Sequence, residues 1–261
     1  MSLSERTNPA FRNTFPALCA TVGFSLESAN VVGSQDKAQA TGEMNWLVNT
    51  FDAVSGATKL GDITCNSANF GSDVLQFLNP NGSTKQEFWY LDPATAAEAE
   101  MEAGWYDAAK AANEEYECCN SLPLPYGQGF MFFAGNPDLK LTFSGAVTDE
   151  TKPFAMVTGA MNFTGNATPV AITLGDVTCN SVNFGSDVLQ LLGANGATKR
   201  SFWYLDPATA AEAEMDPGWY DADKAATEEY ECCNSIPLEA GDGFMFYAGN
   251  PDLTLTVPAA L

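Results

Sequence analysis

Six cysteines stand in register. Cys65, Cys118 and Cys119 return as Cys179, Cys232 and Cys233, each 114 positions further on, and Cys19 is a seventh. Thiols in such a pattern can bind metal, act as nucleophiles or form disulfides. The CxxC spacing of a zinc ribbon is missing and the chain has no histidine, which removes the usual structural zinc site. Adjacent cysteines seldom bond to each other, because the small ring is strained, so each is expected to seek a distant partner. Two readings follow, an extracellular chain with disulfides and a set of reduced buried thiols, and the oxidised one is preferred. Three cysteines per repeat is an odd number, so one per repeat stays free, pairs across repeats or pairs across molecules. Cys19, Cys119 and Cys233 are the candidates for links between subunits.

The absence of histidine also removes Ser-His and Cys-His pairs and HExxH sites. Gly127-Gln-Gly129 and Gly241-Asp-Gly243 precede strands, so they read as turn glycines and not as a phosphate loop. A carboxylate pair is available in principle among 33 acids. Yet Glu98, Glu100, Asp107, Glu114 and Glu115 sit in a helical excursion that recurs in the second repeat, and no enzyme is expected. Calcium is the one cofactor worth naming, through Asp92 and Asp107 with their counterparts Asp206 and Asp221, alongside Asp138 and Asp252. Turn aspartates that bond their own backbone are the preferred account of those residues. Trp89, Trp105, Trp203 and Trp219 could form an aromatic platform for glycans, against the plainer reading that the acidic excursion covers them.

Charge narrows the partners. The chain has 11 Lys+Arg against 33 Asp+Glu, a formal net charge of −22, which repels phosphate backbones and excludes nucleic acid as a natural partner. A hydrophobic fraction of 46% with 11% aromatic residues is enough for folded cores. No run of about 18 apolar residues is present, so no membrane span is expected.

The elements that must position these residues are duplicated. Leu60-Gly-Asp-Ile-Thr-Cys65 to Gly135-Asn-Pro-Asp138 reappears as Leu174-Gly-Asp-Val-Thr-Cys179 to Gly249-Asn-Pro-Asp252, and about three quarters of positions 60–147 and 174–261 are identical. Strand-like segments at Trp46–Phe51, Leu60–Cys65, Val74–Leu78, Glu87–Leu91, Cys119–Leu124, Gly129–Ala134 and Leu139–Phe143 lie between turn residues. Asn81-Gly82 and Asn195-Gly196 predict hairpin turns. Asp92-Pro93 and Asp206-Pro207 each read as an N-cap followed by proline at the first helical position, opening a short helix that ends near Gly104 or Gly218. Asp107–Glu117 reads as a further irregular helical turn, and a disulfide at Cys118-Cys119 would pin the excursion to the sheet. The fold class expected is mainly β, with two tandem antiparallel β-sandwich or barrel-like domains, each carrying a short acidic helical insertion. The divisions expected are an arm at 1–33, repeat 1 at 34–147 and repeat 2 at 148–261, with 145–153 as linker.

Within the arm, Leu18, Ala20, Val22, Phe24 and Leu26 alternate with Cys19, Thr21, Gly23 and Ser25, the period of a strand with one apolar face. It reads either as the apolar region of a secretory signal or as a retained strand free to add to a sheet edge.

Ser28-Ala-Asn-Val-Val-Gly33, Trp46-Leu-Val-Asn-Thr-Phe51, Lys59-Leu-Gly-Asp62, Phe88-Trp-Tyr90, Gly104-Trp-Tyr-Asp107 and Gly127-Gln-Gly-Phe130 resemble elements of a group of uncharacterised secreted bacterial β-rich surface proteins. In that group similar elements occur in tandem. The resemblance implies export and leaves activity open. The expected function is an extracellular, self-assembling subunit of a surface fibre or layer whose partner is itself. The alternative is a carbohydrate-binding or adhesive module of the cell surface, whose partner is a surface glycan.

Overall fold

The computed structural model describes residues 32–54, 56–148 and 150–259. The amphipathic stretch Leu18–Leu26 and Cys19 lie outside the described residues. The first half runs β1 (Val32–Ala38), β2 (Met44–Val48), β3 (Ile63–Cys65), β4 (Val74–Leu78), β5 (Thr84–Leu91), α1 (Pro93–Glu98), β6 (Gly104–Asp107), α2 (Ala108–Ala111), β7 (Gly129–Phe133) and β8 (Lys140–Ala146). The second half runs β9 (Lys152–Ala155), β10 (Met161–Gly165), β11 (Ile172–Thr173), β12 (Thr178–Cys179), β13 (Val188–Leu192) and β14 (Thr198–Leu205). It closes with α3 (Pro207–Glu212), β15 (Gly218–Asp221), α4 (Ala222–Ala225), β16 (Pro237–Leu238), β17 (Gly243–Tyr247) and β18 (Thr254–Val257). Among the described residues no helix is long and apolar enough to cross a membrane.

Each half is an antiparallel sandwich. A five-stranded sheet, β2-β7-β4-β5-β6, faces a three-stranded one, β1-β8-β3; the second half repeats this as β10-β17-β13-β14-β15 and β12-β18-β9. Period-two alternation decides what each sheet buries. Leu75 and Phe77 on β4, Phe88 and Tyr90 on β5, and Phe130 and Phe132 on β7 point inward to meet Ile63, Leu141 and Phe143 of the small sheet. Leu189, Phe202, Tyr204, Phe244, Phe246 and Leu255 do the same in the second half.

The duplication reaches further back than residue 60. The strand Met44–Val48 corresponds to Met161–Gly165, and β1 to β9, at a spacing of 117. Ala38 pairs with Lys140 as Ala155 pairs with Thr254. The loop before Leu60 is therefore three residues longer than its counterpart before Leu174, and that length change hides the upstream half of the repeat from a fixed-period comparison.

Several elements differ from their expected bounds. The helix α1 stops at Glu98, because Glu100 takes a left-handed conformation (φ 56°) and Met101 N–H turns back to the Ala96 carbonyl. Gly104, expected to end the helix, opens β6 instead. Residues 60–62 form a single 3₁₀ turn, so the strand expected over Leu60–Cys65 starts only at Ile63. The Cys119–Leu124 stretch is not a strand, because Leu122 and Asn120 carbonyls accept from Leu60 and Gly61 N–H across a turn. The linker shrinks to 147–151, since Gly145-Ala146 finish β8 and Lys152-Pro153 start β9. The hairpin turns are present. Asn79 N–H meets the Ser83 carbonyl with Gly82 at φ 82°, and Gly193 N–H meets that of Ala197 with Gly196 at φ 78°.

Candidate functional site

The residues singled out for chemistry are largely absorbed by the fold. Among the described residues no disulfide forms: Cys65, Cys118, Cys119, Cys179, Cys232 and Cys233 are free thiols. The excursion is pinned instead by an asparagine. Asn120 Oδ1 accepts from Trp105 N–H at 2.9 Å, its Nδ2 donates to the Ala103 carbonyl at 2.9 Å, and Cys119 N–H reaches the Trp105 carbonyl at 2.7 Å. A Cβ on Gly104 would stand 2.0 Å from Asn120 Oδ1, so only glycine fits that turn. Asn234 and Gly218 repeat the clamp.

The two members of each vicinal cysteine pair face opposite ways, as neighbours in extended chain do. Cys119 and Cys233 are buried in the cores, whereas Cys118 is half-buried and Cys232 exposed. That burial removes Cys119 and Cys233, two of the candidates for links between subunits, from the role. Burial pushes the Cys65 and Cys179 thiols up to about 12 and raises Cys119 and Cys233 as well, which suppresses the reactive thiolate.

Four of the six calcium candidates are helix caps, and the other two, Asp138 and Asp252, are left-handed turn residues (φ 55°). Asp92 Oδ1 accepts from Ala94 and Thr95 N–H, and Asp206 does the same with Ala208 and Thr209. Asp107 caps α2 through Lys110 N–H and takes a bond from Gln86; Asp221 caps α4 and holds Arg200 at 2.8 Å. Hydrogen bonds from Thr95, Thr209, the Lys110 backbone and Arg200 hold the carboxyls of Asp92, Asp206, Asp107 and Asp221, respectively, below the ordinary range. Among the described residues no three acidic or cysteine side chains gather to hold a metal ion.

Of the aromatic platform, Trp105 and Trp219 are fully buried, each donating its indole N–H to a main-chain carbonyl, Ile63 at 2.7 Å and Val177 at 2.6 Å. They are core anchors and cannot meet a glycan. Trp89 and Trp203 lie half-buried on the outer face, with Phe70 and Phe184 edge-on at 5.5 Å. Trp89 lines a groove of about 420 Å³ beside Gln86, Glu87 and Asp107.

One buried polar centre lies outside the residues singled out by type and spacing. Asp73 accepts from Gly135 N–H at 2.8 Å, Asn136 N–H at 3.1 Å, Asn136 Nδ2 at 2.6 Å and the Ser67 hydroxyl, tying β4 to the β7–β8 turn. Asp187 repeats it with Gly249, Asn250 and Ser181. The signal was the recurrence of Ser-Asp-Val (72–74 and 186–188) and Gly-Asn-Pro, unchanged, in both repeats.

The joint between the halves likewise involves none of the residues singled out for chemistry. The edge strands β2 and β10 are laid across the outer faces of β17 and β7, so that counterpart residues meet about a pseudo-two-fold axis. Trp46 stacks on Phe163, its own counterpart, with ring centroids 6.1 Å apart. Met44 N–H donates to the Ala194 carbonyl at 2.8 Å, and Met161 N–H to that of Pro80 at 3.0 Å, again a matched pair. The bare backbones of Gly129 and Gly243 allow this approach: a Cβ on Gly129 would lie 2.7 Å from the main chain of Phe163, and one on Gly243 2.8 Å from that of Leu47. The two ends of the joint differ in chemistry. At one, Phe154 stacks on Tyr126 at 5.7 Å with Lys152 over the tyrosine ring. At the other, the counterparts of Phe154, Tyr126 and Gln128 are Lys37, Ala240 and Asp242. Here Lys37 Nζ bonds the Ala240 carbonyl at 2.8 Å and Asp242 Oδ1 at 2.6 Å.

Comparison with protein-family models, with curated proteins and with solved structures finds no match for this chain.

Proposed function

We propose that the chain is an exported structural protein, a non-enzymatic subunit that assembles with copies of itself into a surface fibre or layer. The observation that carries this reading is the state of the sheet edges. The joint uses up the edge strands β2 and β10, while the seven-residue β1 is paired along only one side, to β8, among the described residues. An unpaired edge of that length is a template for an incoming strand. It leads directly out of the arm that holds Leu18, Ala20, Val22, Phe24 and Leu26, the apolar alternation that the duplication did not copy. Strand addition from that arm to the β1 edge of a neighbour joins subunits head to tail, because donor and acceptor are different surfaces, and such a contact propagates into an open chain where its rotation does not close a ring. Light scattering of the full chain and of a deletion of residues 1–31 tests the proposal: polymers should form only with the arm present, and polymers of unchanged length in the deletion overturn it.

One observation favours a second reading. The half-exposed Trp89 beside Glu87 and the Gln86–Asp107 pair offers a stacking face with polar neighbours, the chemistry of a glycan contact. Binding to a glycan array that is lost in Trp89→Ala, with the fold intact, would support an adhesive module.

A further inference from the structure

We infer that the joint itself is exchangeable between copies: repeat 1 of one chain locks onto repeat 2 of another through the surface that closes the monomer, and the end residues direct it to unlike repeats. This rests on the self-assembly reading and gives it a subunit contact separate from the N-terminal arm.

Three features carry the inference. The joint is isologous in design, since Trp46 meets its counterpart Phe163 and the Met44 and Met161 N–H groups make equivalent bonds to Ala194 and Pro80. A surface that two halves of one chain present to each other is equally complementary between two chains. Second, the halves are tied only by residues 147–151, between Ala146 at the end of β8 and Lys152 at the start of β9. A tether that short favours closure within one chain at low concentration through its high effective concentration, and exchange at high concentration replaces each contact with an identical one. Third, the unlike ends select the partner. Pairing two copies of repeat 1 would put Lys37 against Tyr126 and Gln128 and deprive it of the Asp242 carboxylate. Pairing two copies of repeat 2 would set Phe154 against Ala240 and Asp242 and deprive it of the Tyr126 ring. Only the unlike pairing supplies both the ion pair and the aromatic stack. The Lys37 side chain retains only 17% of its exposure, so a like charge opposite it is poorly screened.

The test uses two full-length variants, Lys37→Asp and Asp242→Lys. Alone, each variant closes its joint only by opposing like charges. When the two are mixed in equal amounts and refolded together, exchange sets the substituted position 37 of one chain against the substituted position 242 of the other. The same exchange returns the unaltered Lys37 to an unaltered Asp242, so both joints regain opposite charges. Native mass spectrometry should show species with both chains enriched at least about tenfold over same-variant oligomers, the factor set by about 1.4 kcal/mol. Two separate monomer populations would overturn the inference. Should either variant fail to fold by circular dichroism, co-refolding isotopically heavy and light wild-type chains at high concentration decides instead. Deletion of residues 1–31 keeps donor-strand assembly from contributing: mixed-mass oligomers then support exchange, and unmixed monomers refute it. Polymers that need the arm together with unmixed variants leave the functional reading standing and exchange refuted; mixed species together with arm-independent polymers do the reverse.

Discussion

The indole of Trp46 lies stacked on the phenyl ring of Phe163, their planes 10° from parallel, and the two residues hold the same position in the two halves of the chain. A residue that packs against its own counterpart sits on the symmetry axis of a joint, and this pair marks where two sandwiches become one molecule. Everything around it depends on close approach of main chains at Gly129 and Gly243.

Substituting valine at Gly129 or Gly243 should therefore separate the halves without destroying either core. The added side chain meets main-chain atoms of the other repeat, which cannot swing aside as a flexible side chain could. A cost of about 1–3 kcal/mol is expected, of the kind seen on overpacking. Calorimetry should show the unfolding transition lowered and broadened or divided in two; an unaltered single transition would contradict the described approach.

The buried Asp73 should matter more than any acid on the excursion. Asp73→Ala removes the acceptor for two backbone N–H groups and an amide, all part-buried, and for the buried Ser67 hydroxyl, which alone is left unpaired at about 1–3 kcal/mol. Urea unfolding should register a loss of several kcal/mol, against roughly 1 kcal/mol for Asp92→Ala, which removes one exposed cap. Equal losses in the two variants would show that the Asp73 centre does not tie β4 to the β7–β8 turn.

Thiol labelling under native conditions should follow exposure. Cys232 should react first with a maleimide, the half-buried Cys118 and Cys179 more slowly, with Cys179 the slower of the two because its thiol is raised, and Cys65, Cys119 and Cys233 only after denaturation, because burial raises their thiols and screens them from reagent. Peptide mapping after timed labelling checks the order, and early modification of Cys233 would contradict its place in the core.

Acid should weaken the fold through the capping carboxylates. Asp92, Asp107, Asp206 and Asp221 titrate below their ordinary value of 3.8 in the folded chain. The stability they contribute is thus present above about pH 4 and lost as pH falls through the depressed folded values. In Asp221→Asn the loss below pH 4 should be shallower than in the wild type. A pH profile identical in slope would show that the Arg200 contact does not carry this dependence.

The elements that could be read in the sequence are those specified locally. The caps at Asp92 and Asp206, the hairpins at Asn81-Gly82 and Asn195-Gly196, and the alternation on β4 and β5 all depend on neighbours a few residues away. What could not be read depends on distant partners. Trp105 and Trp219 look like a surface platform in sequence, but their burial follows from a sandwich that brings Ile63 and Val177 carbonyls to their indoles. The joint escaped for a different reason: a three-residue length change broke the register between Met44-Asn45 and Met161-Asn162, so the edge strands did not appear as repeats. Cys118-Cys119 suggested a disulfide by composition, whereas the pinning falls to Asn120, a residue whose role needs the geometry of Gly104 to be seen.

Electron microscopy of the full-length chain beside the same chain lacking residues 1–31, at matched concentrations, decides whether the subunit assembles through its arm. Ordered filaments or a lattice are expected with the arm present, and dispersed folded particles without it. Dispersed particles in both preparations, or the same filaments in both, would contradict assembly through the arm.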